Sequence, residues 1–207
     1  MNTPSISELE RRMRPGAMSR MGFLGFSESL EVVLAQDNQT LKALHISYEQ
    51  IAEALEKILQ SVLDQQNKLL EENFHEWLKR EGQIKEGQEP FLDLQAPIFN
   101  LYQPNGIPNF SLNNLPSTDL GYLVGNKFQV FITQYRGLQE CPWGCGRDNW
   151  SRLTFLILNR QSGKFVTGSG LIIHLIRKHH FFEGIQTPFR VEPAAVADVL
   201  ELAPETK

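Results

Sequence analysis

Cys141-Pro-Trp-Gly-Cys145 and, after a gap of 28 residues, His174-Leu-Ile-Arg-Lys-His179-His180 decide how the C-terminal third of this chain is organised. The cysteines are the only two in 207 residues, and three of the five histidines fall in the second stretch. Two thiols and two imidazoles in the order C-x3-C, then H-x4-H, are the donor set of a closed, tetrahedral structural zinc site. Pro142, Trp143 and Gly144 predict a tight turn, with Gly144 free to take a positive φ. Backbone N–H groups in such a turn can point at the sulfurs and favour the thiolate. His174 and His179 diverge by about 140° on a regular helix. They converge on one metal only if the last turn is distorted. His180 is the alternative fourth ligand.

Two other readings compete for these residues. The cysteines and histidines could be ordinary packing residues, since free cysteine is commonly buried. They could also form a disulfide or redox pair, although C-x3-C is not the C-x2-C redox spacing. The start of the chain, MNTPSISELERR, lacks the apolar run of a secretory signal. No aliphatic run is long enough to span a bilayer. The expected location is therefore cytoplasmic, without membrane contact. Thiols stay reduced there, which favours ligands over a disulfide.

Working outward, the segment after the cysteines reads as strands and a hairpin. Strands are expected over 128–135, 153–158 and 164–167, with a turn at 159–163. Ser169 is placed to cap a helix over 171–182, which Gly184 would close. Glu183 is expected to face water. A last helix begins at Pro193. Upstream, residues 82–121 are rich in proline and asparagine and read as a connector. Residues 1–81 read as helical. Ser5 and Ser7 each open a capping-box pattern, and the first helix should stop by Pro15-Gly16. Short helices are expected from Ser27 or Glu28 to Ala35 and from Gln39 to Leu44. Ser47-Tyr-Glu-Gln50 opens the longest helix, to about Arg80, with apolar residues at helical spacing. Gln65-Gln66-Asn67 breaks that stripe and predicts a kink or an end, or a protruding arm; the helix is read as a core helix packed by the shorter N-terminal ones, with a homodimer through the 47–80 helix as the alternative. The fold class is α+β. Its parts are a helical region over 1–81, the connector over 82–121, and a zinc-closed β-hairpin-plus-helix module over 122–207.

Over residues 141–180 this order of cysteine turn, hairpin and two-histidine helix resembles the C2H2 zinc-finger class. The resemblance implies zinc at Cys141, Cys145, His174 and His179. It departs from the class in length. About a dozen residues usually separate the last cysteine from the first histidine, and the helix residues that read bases in that class have no counterpart here.

Three functions are open to such a chain. The first is a non-enzymatic zinc-binding protein whose module docks an unknown protein partner. The second is nucleic-acid binding. Residues 141–190 hold seven Lys/Arg against two Asp/Glu, in a chain of net charge −4, and a basic excess of this kind can mark a polyanion-binding face. Trp143, Arg147, Trp150, Arg152, Arg177 and Lys178 are the candidate contacts, through stacking and charge. Alternatively Trp143 covers the metal turn and Trp150 enters the core. The third is a zinc-dependent hydrolase with Glu183 as base. Neither H-E-x-x-H nor any phosphate-binding or nucleophile-elbow motif is present, so no catalytic residue is assigned.

Overall fold

The computed structural model describes residues 4–81, 121–146 and 149–205; the side chains of 70, 73–81 and 136 fall outside that description. The predicted connector, apart from Gly121, and Arg147 lie outside the described residues. Helices α1 (Ile6–Met13), α2 (Leu30–Leu44) and α3 (Tyr48–Glu81) precede strands β1 (Tyr122–Val124), β2 (Phe128–Glu140), β3 (Trp150–Asn159) and β4 (Phe165–Ser169), and α4 (Ile172–His179) and α5 (Pro193–Leu200) follow. The strands form one antiparallel sheet in sequence order. The architecture is the α+β class expected from the sequence.

Local sequence explains most of these elements. Ser5 Oγ accepts from the Glu8 N–H at 3.3 Å and starts α1. The capping box at α3 is complete: Gln50 N donates to Ser47 Oγ and Ser47 N donates to Gln50 Oε1. Period-2 alternation gives the sheet two faces. Val130, Ile132, Phe155 and Ile157 point into the main core, while Phe131 and Leu156 pack on the other side with Phe165 and Phe189. The main core also takes Leu9 and Met13 of α1, Val33 and Leu41 of α2, Ile51, Leu55 and Val62 of α3, and Ile172, Leu175 and Ile176 of α4. N-terminal helices and C-terminal module thus share one apolar interior.

The helices depart from expectation in part. The two short helices over 27–44 are a single helix, Leu30–Leu44. Its polar middle is tolerated because Asp37 is buried against Arg190, with Nη2 to Oδ1 at 2.6 Å. The long helix does reach the expected end near Arg80, running through Gln65-Gln66-Asn67 to Glu81. Gln65 Nε2 donates to the Leu123 carbonyl, and Gln66 Oε1 accepts from Gln134 Nε2, so the polar interruption meets the sheet. Finally, α4 stops at His179 rather than near Gly184. His180 takes the left-handed conformation at φ 55°, and the His180 and Phe181 N–H groups bond back to Ile176 and Leu175. Ser169 ends β4 and does not cap α4, whose first turn has no side-chain cap.

In the loop over residues 15–26, Phe23 and Leu24 are both buried. Their N–H groups share the Met13 carbonyl. Phe26 stays 78% exposed. No helix among the described residues is long and apolar enough to cross a membrane.

Candidate metal centre

Strand β2 ends at Glu140, and Cys141 is the first residue of the turn that leads to β3. Cys141 N donates to the Asn149 carbonyl and Gly144 N to the Cys141 carbonyl at 3.0 Å, which closes the turn. Gly144 takes φ +77°, as its place in the turn demands. Asn149 Nδ2 holds the Cys145 carbonyl from the far side. Backbone N–H groups of Trp143 and Cys145 point at the Cys141 sulfur and favour its thiolate.

The opposing wall is α4. Ile172, Leu175 and Ile176 are buried in the core, and each such side chain contributes about 1.5–3 kcal/mol of transfer free energy. Burial on this scale holds the helix in place independently of any ligand. Arg177, on its flank, bonds Glu49 at 2.8 Å and Glu56 at 2.9 Å, both on α3. His174 and His179 therefore stand on a fixed helix. Both histidines lie within the regular helix, which ends at His179 with a left-handed His180, so the two rings approach one another without the expected distortion between them.

Cys141, Cys145, His174 and His179 each offer a donor atom, and the four lie within 4.8 Å of one another. The sulfurs are 3.6 Å apart. His179 Nε2 lies 3.4 Å from the Cys141 sulfur and 3.1 Å from the Cys145 sulfur. A tetrahedral zinc with ordinary bond lengths would space its sulfurs by about 3.8 Å and sulfur from nitrogen by about 3.5 Å. The three edges among Cys141, Cys145 and His179 match that size to within a few tenths of an ångström, and the His174 donor lies within 4.8 Å of them. His174 Nε2 is buried and has no hydrogen-bond partner among the described residues. A buried nitrogen without a partner is costly, and a metal bond would satisfy it. The Trp143 indole stacks on the His179 ring at 4.1 Å with 5° between planes, and Phe181 meets Trp143 edge-on. The four residues could therefore hold a metal ion.

Burial sets the protonation of these donors. It pushes the Cys141 thiol up to about 11, with the neighbouring Cys145 sulfur adding to the rise. It pushes His179 down to about 4, helped by the charges of His174, His180 and Lys178. His174 is lowered for the same first reason, then by Lys178. The imidazoles are thus neutral near pH 7 and ready to ligate, while the Cys141 proton must leave.

The other candidate residues are placed as follows. His180 is outside the cluster and stacks on Tyr48 at 4.1 Å. Trp150 does not enter the core; it is 45% exposed, with Arg152 and Lys178 also at the surface. The basic excess over 141–190 is partly neutralised by the acidic segments on either side. Arg177 is paired as above, Lys164 meets Asp198 at 2.6 Å, and Arg190 meets Asp37 and Glu192. Glu183, expected to face water, is fully buried at φ +68°. Burial raises its carboxyl to about 8, against the opposing pull of Thr187, Arg190 and Ser169. No spacing in the sequence signals this; the burial is imposed by the segment after α4, which Arg190 gathers by donating to the Glu183 carbonyl.

No family model matches the chain, and neither the curated proteins nor the solved structures compared with it include a match.

Proposed function

We propose that this chain is a non-enzymatic zinc-binding protein in which Cys141, Cys145, His174 and His179 hold one structural zinc ion, and that the module so stiffened serves as a docking surface for a protein partner. The convergence of the four donors to within 4.8 Å, drawn from a turn and a helix far apart in sequence, carries the reading. Zinc, when bound, would contribute four ligand bonds that fasten the β2–β3 turn to α4. Four protein ligands leave no open position for a substrate, which favours a structural role over a hydrolytic one. Glu183 could not act as a hydrolase base from a fully buried position. The site also requires a compartment where thiols stay reduced, such as the cytoplasm.

Elemental analysis of gently purified protein tests the proposal. One equivalent of zinc is expected, lost in Cys141→Ser and in His179→Ala but retained in His180→Ala. Protein that neither retains nor takes up zinc would refute it. Nucleic-acid binding is distinguished by salt. A polyanion complex formed through Trp150, Arg152 and Lys178 would weaken steeply as salt rises, whereas a protein partner would be nearly indifferent.

A further inference from the structure

Cys145 is exposed at the turn, whereas Cys141 beneath it is 3% exposed. Their sulfurs are 3.6 Å apart. A disulfide needs about 2.05 Å, so closing the pair takes a movement of about 1.5 Å. The turn can accommodate that movement. Gly144 and Gly146 both carry positive φ, and a Cβ built at Gly146 meets nothing within 4 Å. The chain contains no third cysteine, so the bond can form only within this pair or between molecules. We propose that Cys145 and Cys141 form an oxidation site, at which an oxidant of the peroxide class converts the two metal-bound sulfurs into an intramolecular disulfide and releases the metal.

The step rests on the zinc reading above and balances as follows. The exposed Cys145 sulfur attacks one peroxide oxygen; the O–O bond breaks, hydroxide leaves, and a sulfenic acid forms. The Cys141 sulfur then attacks the Cys145 sulfur; the S–S bond forms, the S–O bond breaks, and a second hydroxide leaves. Each sulfur loses one electron, and the peroxide, with two protons from solvent, becomes two waters. Both thiolate ligands are consumed, and two imidazoles alone cannot retain the ion. The β2–β3 turn then loses its tie to α4 while α4 keeps its own packing. A dithiol reductant together with zinc reverses the change.

The test uses the full chain loaded with zinc, with stoichiometry measured first. A chain that takes up no zinc refutes the metal reading alone, and oxidation is then followed on the metal-free chain. Hydrogen peroxide is added stepwise. Zinc release is followed with a metallochromic indicator, and the peptide spanning residues 141–145 is weighed by mass spectrometry. Met18, 36% exposed, serves as an internal measure of oxidant dose. The expected result is release rising from none to one equivalent, in step with loss of two hydrogens from that peptide and reversed by dithiothreitol plus zinc. Cys145→Ser should show no such mass loss. The proposal is overturned if Met18 is oxidised while both thiols survive, or if the peptide only gains oxygen.

Discussion

Replacing Glu183 with glutamine removes the one fully buried carboxyl among the described residues whose folded and unfolded states hold their proton so differently. The group titrates near its ordinary 4.5 when unfolded and near 8 when folded. Between those values the folded protein holds a proton that the unfolded chain has released. Stability from this group is therefore complete below pH 4.5, falls as pH rises through the window, and is fully lost above pH 8. At about 1.4 kcal/mol per pH unit, the loss between pH 4.5 and 7 is about 3 kcal/mol. Glutamine has the same shape and no proton to lose, so Glu183→Gln should escape that loss. For a chain of this size, 3 kcal/mol corresponds to roughly 10 °C in Tm. The assay is thermal unfolding of parent and variant side by side from pH 5 to 8.5, at fixed saturating zinc, so that the metal site cancels in the difference. The variant should gain little at pH 5 and progressively more towards pH 8. A Tm difference that stays flat with pH, or that turns against the variant at high pH, would show that Glu183 is ionised in the fold and that the reasoning is wrong.

Other changes test neighbouring parts of the argument. Arg190→Ala strands the buried Asp37 carboxylate and should cost about 3–5 kcal/mol in chemical denaturation, far more than Lys164→Ala, whose pair is exposed on both sides. Zinc uptake at pH 7 should release the Cys141 proton and none from His179, and affinity should fall as pH falls. Calorimetry in buffers of different ionisation enthalpy counts those protons, and uptake without proton release would contradict the thiol's raised value.

What was legible in the sequence was whatever neighbouring residues encode. Ser5 and Ser47 announce helix starts because capping is completed within four residues. Cys141, Cys145, His174 and His179 announce a shared centre because donor type and spacing survive folding. The misses lie where the deciding partner is remote. The gap expected between Ala35 and Gln39 is closed where Asp37 pairs with Arg190, 153 residues away. Gln65 and Gln66 look like an interruption until the sheet edge offers a carbonyl and an amide. His180 carries the left-handed turn usually given to glycine, and its ring is stacked on Tyr48 from another helix. Trp150 has two readings by residue type, a stacking contact or a core side chain, and its place at the base of the exposed turn opposite Glu140 removes the second. Glu183 reads as a solvent-facing residue near a helix end, and nothing beside it in sequence signals its burial.

The common interior of the two halves has a practical corollary for anyone dissecting the molecule. Clipping the polypeptide between Glu81 and Tyr122 and expressing the downstream fragment would strip the cover from Leu175, Ile176 and Val199, all residues that the intact protein keeps dry. Such a fragment should be sticky and poorly soluble even with its cation in place. Mixing it with the upstream fragment should restore a soluble, stoichiometric pair.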